Sequence, residues 1–152
     1  MHAAHRRNGF TLIEVLIVVV ILGILAAIVI PQVAGASQDA LKSALRRQLQ
    51  SIDDIIELYR VNNAGTLPTA DPVSPFGAGG GWGVMVGAGY LKQAPFNGYT
   101  GGSVVGVGTT RAAAAALAQG TPEGWLYVLT GDRLDVFAAG YDEQSNKLSS
   151  EP

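Results

Sequence analysis

One feature constrains this chain more than any other: Phe10 to Ile30 is apolar almost throughout, yet it carries a carboxylate, Glu14, near its start. A run of about 21 residues rises roughly 31 Å as a helix, the hydrocarbon thickness of a bilayer. Arg6 and Arg7 precede the run and no basic residue follows it closely. By the positive-inside rule this predicts a cytoplasmic N-terminus and one crossing, with the bulk of the chain outside. A cleaved secretory signal would explain Ala34-Gly35-Ala36 after the run, but a signal's apolar region is typically about 7–15 residues. A plain anchor would explain the length but not Glu14. An acid within a spanning helix costs about 2.5–3.5 kcal/mol on insertion scales and is usually partnered. Thr11-Leu12-Ile13-Glu14 fits the T-x-x-E capping box, which offers Glu14 a local partner.

Composition narrows the function classes. The chain has 152 residues, no cysteine and a formal charge of −2. Disulfides and thiolate metal sites are excluded, and the charge argues against nucleic acid as a partner. The only histidines are His2 and His5. Without His or Cys beyond residue 5, the usual nucleophile–base pairs and zinc sites have no members, so neither catalysis nor a cofactor is expected. The glycines between Gly77 and Gly83 match neither nucleotide-binding pattern and follow no strand, which points to turn chemistry.

The rest of the chain reads in blocks. Val33, Leu41, Leu45, Leu49, Ile52, Ile56 and Tyr59 recur at three- and four-residue spacing, opposite Lys42, Arg46, Gln50, Asp53, Glu57 and Arg60. This predicts an amphipathic helix, stopped by Asn62-Asn63-Ala64-Gly65. Asp53 and Asp54 point about 100° apart on that helix and are expected to be solvated. Residues 70–89 read as loop, with a short helix near Trp82–Tyr90. Val104–Val107 reads as a strand, Thr110–Gln119 as an alanine-rich helix, and Trp125–Thr130 with Arg133–Ala138 as a hairpin turned by Gly131-Asp132, glycine first as type II′ requires. Tyr141 to Pro152 reads as a polar, partly disordered tail. Gly23 and Pro31 interrupt the apolar helix, and a kink is expected there.

Gly9-Phe10-Thr11-Leu12-Ile13-Glu14 resembles the processing site of type IV prepilins and type II secretion pseudopilins. The resemblance continues through Val15-Leu16-Ile17 and Ile21-Leu22-Gly23-Ile24-Leu25-Ala26-Ala27-Ile28 to Pro31. Two later stretches, Glu57 to Thr69 and Tyr90 to Tyr99, are similar to major pseudopilins, although Leu67 stands where that pattern usually has tyrosine. The resemblance implies an α+β, pilin-like fold: a long N-terminal helix, half in the membrane and half amphipathic, packed against a small antiparallel sheet. It divides the chain into a leader at 1–9, a transmembrane half at 10–30, an amphipathic half at 31–63, a globular region at 64–140 and a tail at 141–152.

The resemblance further implies that prepilin peptidase cuts between Gly9 and Phe10 and methylates the Phe10 amine. Glu14 would then set register against the amine of a neighbouring copy, and Pro31 would mark a bend. The implied function is a structural subunit of a helical homo-oligomeric filament in the bacterial inner membrane. Its implied partners are other pseudopilins, an assembly ATPase and an inner-membrane platform protein. A type II secretion pseudopilus fits the cysteine-free chain better than a type IV pilus, and a membrane-anchored binding module is the alternative from another class. Major pseudopilins usually hold calcium in a C-terminal acidic loop; Asp132, Asp135, Asp142 and Glu143 do not reproduce that loop, so no metal is assigned.

Overall fold

The computed structural model describes residues 10–68 and 82–151, with only the helical backbone at 31–34. The leader with Gly9, the glycines Gly77 to Gly81 and Pro152 lie outside the described residues. The chain divides into two compact units, residues 1–39 and 40–152.

Helix α1, Leu12–Asn62, contributes to both units. Gly23 and Pro31 fall inside it and neither ends it. In the first unit, every large apolar side chain from Phe10 to Ile30 is at least 50% exposed. The described part of this unit thus has no core of its own to bury its apolar surface. The helix is long and apolar enough to cross a membrane.

The second unit begins with the amphipathic half of α1. The stripe at Leu45, Leu49, Ile52 and Ile56 is buried, with Ile55 and Tyr59 partly so. These residues join Trp82, Tyr99, Val105, Trp125 and Val136 in one core. The helix stops where the sequence says it should. Ala64 and Gly65 take positive φ (54° and 85°), the Gly65 amide donates to the Arg60 carbonyl at 2.8 Å, and Asn63 Nδ2 donates to the Tyr59 carbonyl at 2.8 Å. This is the left-handed termination that satisfies last-turn carbonyls. Helix α2, Gly83–Gly87, follows, with Met85 buried.

Three strands form the main sheet in the order β1-β2-β3: Val104–Val107, Glu123–Thr130 and Arg133–Ala138. The β2–β3 hairpin is antiparallel and in register from Trp125↔Ala138 to Thr130↔Arg133. Gly131 takes φ 59°, the positive value that the first position of a type II′ turn demands. Strand β1, however, pairs with β2 in parallel, so the sheet is mixed rather than purely antiparallel. A parallel pair needs a crossover of a dozen or more residues. The 108–122 segment supplies it.

That segment carries α3, which spans only Arg111–Ala115 and not the whole of 110–119. Thr110 caps it, its Oγ1 accepting from the Ala113 amide at 3.1 Å. Its end is set by tertiary demand. The Ala114 carbonyl accepts from the Gly140 amide at 2.8 Å, and the Leu117 carbonyl accepts from Ser149 Oγ at 2.8 Å. A short alanine helix has little stability of its own, so these outside donors decide where it stops.

The C-terminal segment is not the disordered tail its polarity suggests. Tyr141–Asp142 (β4) and Lys147–Leu148 (β5) form a second, two-stranded sheet. Tyr141 and Leu148 are buried. Lys42 Nζ on α1 binds Glu151 Oε1 at 2.8 Å, while Glu151 Oε2 accepts from the Leu148 amide at 2.8 Å. Two apolar anchors and one ion pair are enough to order a stretch that is otherwise polar.

Two features lock the centre of this unit. Trp82 and Trp125 meet edge to face, ring centroids 6.4 Å apart. Asn97, fully buried, ties three loops together. Its Nδ2 donates to the carbonyls of Gly124 (2.7 Å) and Ala139 (2.9 Å), and its Oδ1 accepts from the amides of Tyr99 (2.8 Å) and Thr100 (3.2 Å). Gly124 is glycine because a Cβ there would collide with the Gly102 carbonyl. Asn97→Ala strands the Ala139 carbonyl and the Tyr99 and Thr100 amides at once, the Gly124 carbonyl keeping the Ala139 amide, and each costs about 1–3 kcal/mol when left unpaired. We expect a loss of at least about 3 kcal/mol, read as a lower urea midpoint for the detergent-solubilised chain, with the slope unchanged.

Candidate functional site

The helix start is where the sequence concentrates its constraints, and the structure gives it a defined geometry. Thr11 lies just before the first helical residue, Leu12. Its amide donates to Glu14 Oε2 at 2.8 Å and its hydroxyl to the same oxygen at 2.6 Å. The Glu14 amide donates back to Thr11 Oγ1 at 3.3 Å. This reciprocal pair is the capping box that T-x-x-E implies. A carboxylate in the first turn also complements the positive end of the helix dipole.

Around this polar pair the surface is apolar. Phe10, Leu12, Val15, Leu16 and Val19 line an open groove of about 510 Å³ beside Thr11. Phe10 and Glu14 are therefore brought to one helix end, the ring among exposed aliphatic groups and the carboxylate held one residue from Phe10 by the Thr11 amide. Gly23 lies farther along the helix, with open space where a Cβ would stand. Pro31 lies on the helical backbone beyond it. Neither belongs to the cluster at the helix start.

A second charged surface occurs in the other unit, where sequence reasoning expected only solvated acids. Asp53 borders an open cleft of about 450 Å³ shared with Asp54, Glu57, Arg133 and Asp135. Partial burial, then repulsion from Glu143, Asp135 and Asp54, pushes its carboxyl up to about 6, with Arg133 opposing. Asp53 and Asp54 are both exposed, as the sequence predicts, so water screens the repulsion. The opposing cation is already engaged: Arg133 Nε holds Asp135 Oδ1 at 2.8 Å. Sequence spacing could separate Asp53 from Asp54 on the helix, but it could not show that β3 and the β4–β5 turn bring two more acids to the same place. Among the described residues, no group of three or more His, Cys, Asp or Glu is placed to hold a metal ion.

Comparison with known proteins bears on the first of these surfaces. Residues 4–30 match the family model of the prokaryotic N-terminal methylation motif. The chain carries a prepilin-type N-terminus. The chain is also similar to proteins described as type II secretion system core protein G. The Pseudomonas aeruginosa protein is 41% identical over 58 residues, 38% of this chain and 41% of the relative. The Vibrio cholerae protein is 35% identical over 71 residues, 47% and 48% of the two chains. The Escherichia coli protein is 32% identical over 63 residues, 41% and 43%. The matched region thus spans less than half the length of each of these relatives. No solved structure gives a significant match. Each match covers less than half of this chain, and the α+β fold is seen in the structure.

The raised carboxyl of Asp53 has a measurable consequence. Between the ordinary value of 3.8 and about 6 the folded state binds more protons than the unfolded state. Stability therefore falls as pH rises through that window and is level above it. Asp53→Asn should raise the thermal midpoint at neutral pH, by the equivalent of less than about 1 kcal/mol because the group is in contact with water. The gain should vanish below about pH 4, where both states are protonated. Melting curves of the two proteins across this range check it.

Proposed function

We propose that this chain is a structural subunit of a membrane-borne helical filament of the type II secretion pseudopilus kind. One observation carries the reading: a helical stretch, Phe10 to Ile30, whose large apolar side chains are all exposed, headed by a carboxylate held at residue 14. Such a helix is stable only under cover, from lipid before assembly and from the helices of other copies afterwards. The prepilin-type match over residues 4–30 and the likeness to type II secretion system core protein G support the same role.

In this reading the leader is cut off between Gly9 and Phe10 by prepilin peptidase, and the Phe10 amine is methylated. The new ammonium lies at the helix end that also holds Glu14. Within lipid the capping box is the best partner Glu14 has, and it leaves one carboxylate oxygen, Oε1, uncommitted among the described contacts. In a filament the ammonium of an adjacent copy supplies a full opposite charge. Pairing in the wrong register leaves two charges buried without partners, which costs far more than correct pairing gains. Glu14 therefore selects stagger. Pro31 has no amide hydrogen to give the preceding turn, so the helix can bend or melt there as it passes from lipid into the filament. The N-terminus faces the cytoplasm and the second unit lies outside the membrane. An assembly ATPase, a platform protein and other pseudopilins complete the machine.

Glu14→Ala is expected to leave the chain membrane-inserted and processed, with N-methyl-Phe10 seen by mass spectrometry, while filament yield falls at least about tenfold, the equivalent of 1.4 kcal/mol per contact. Glu14→Gln should behave like the alanine variant, since it keeps the hydrogen bonds and loses the charge. Full filament yield from either variant, or an unprocessed Met1 in assembled filaments, defeats the reading.

A further inference from the structure

A cleft of about 660 Å³ opens between α3 and the C-terminal β4–β5 hairpin. Its bed is aliphatic, made by Ala112, Ala115, Ala116 and Leu148, and its walls carry Arg111 and Lys147. Arg111 is the unusual member. Its guanidinium lies over the Phe137 ring, 5.6 Å from the centroid. Its Nε is enclosed and has no hydrogen-bond partner. Asp142 also lines the cleft and feels the Arg111 charge, but its hydrogen bonds go to its own turn: Oδ2 accepts from Ser145 Oγ at 2.6 Å and Oδ1 from the Gln144 amide at 3.1 Å.

A guanidinium presents five donors in a planar fork that matches a carboxylate. Stacked on a ring and partly withdrawn from water, this one has already given up much of its rotamer freedom, so little is left to lose on binding. The cleft's size falls in the range that takes a few residues of peptide or a small molecule. Its alanine bed suits a short aliphatic side chain beside the acid.

We infer that this cleft is a recognition site for an acidic segment of another polypeptide, with Arg111 anchoring a carboxylate and Lys147 adding a second positive charge. The inference concerns the outer unit and stands apart from the filament reading. It uses neither the prepilin-type segment nor Glu14.

The test uses the full chain in neutral-detergent micelles and the peptide acetyl-Ala-Glu-Glu-Ala-amide, with the glutamine analogue as control. Titration followed by the arginine side-chain resonances should show saturable binding of the glutamate peptide, with the Arg111 signal shifting most. Arg111→Gln should weaken binding at least about tenfold, and Arg111→Lys should recover only part of it, because the planar stack is lost. Near-UV circular dichroism of the tryptophans reports whether each variant is folded. Should Arg111→Gln misfold, the exposed Lys147→Gln serves instead, with a loss of about two- to fivefold and a shallower salt dependence. Equal affinity for the two peptides, no saturation, or affinity unchanged by Arg111→Gln and Lys147→Gln overturns the proposal. A photo-crosslinker in place of Ala112 gives the last arm. Adducts with the glutamate peptide support it. Adducts only between copies of this chain, undiminished by the peptide, put a second copy in the cleft and overturn the choice of occupant.

Discussion

Everything in the first unit follows from apolar surface that the chain cannot bury by itself. A helix with exposed aliphatic groups on all sides is not a failed core element. It is a helix whose solvent is something other than water. In lipid its backbone is satisfied internally and its side chains lose nothing. Within Phe10 to Ile30 the charge at odds with that solvent is Glu14, and the structure answers it locally by having Thr11 donate twice to the same carboxylate oxygen. The charge of an uncovered apolar helix is thus met by hydrogen bonds from the residue that begins it.

The second unit solves the opposite problem. Here α1 is covered, and the cover is built from few parts: a hairpin, one parallel strand and two tryptophans, fastened by a buried asparagine. With no disulfide available, closure of the C-terminal segment falls to non-covalent contacts. Tyr141 and Leu148 enter the core, Tyr99 Oη and Ser149 Oγ are hydrogen-bonded at 2.7 Å, and Lys42 reaches Glu151 from the helix. The ion pair is largely shielded from water, so removing either partner would leave a poorly solvated charge. Chain ends are usually the first parts to fray. This one is held at both strands.

The sequence disclosed what depends on short-range pattern. The stripe from Leu45 to Ile56, the stop at Ala64-Gly65, the Gly131-Asp132 turn and the Thr11–Glu14 box were all legible, because each is fixed by residues within about four positions of one another. What depends on distant partners was not. The parallel pairing of β1 could not be read from Val104–Val107, since four apolar residues fit either direction. The end of α3 was invisible because Gly140 and Ser149 set it from across the fold. The order of the C-terminal segment rested on Tyr141 and Leu148, two apolar residues among polar ones, a signal present but outweighed by composition. At the candidate site, Glu14 and Phe10 stood out in the sequence because a charge in an apolar run is costly. Asp53 did not, because its perturbing neighbours Asp135 and Glu143 are more than eighty positions away.

The crossover that escaped sequence reasoning also explains why the outer unit has a feature such as the Arg111 cleft. A hairpin sheet needs only a two-residue turn, whereas adding β1 in parallel obliges the chain to travel back along the sheet through 108–122. That return path must pack, and it does so by stacking Arg111 on Phe137 and by its Ala114 and Leu117 carbonyls accepting from the Gly140 amide and Ser149 Oγ. The same contacts that dock the crossover also fix the C-terminal hairpin opposite it, leaving a cleft between two braced walls. A guanidinium placed there by the demands of topology is held in position without a hydrogen-bonded acid, and so remains available to a carboxylate from outside.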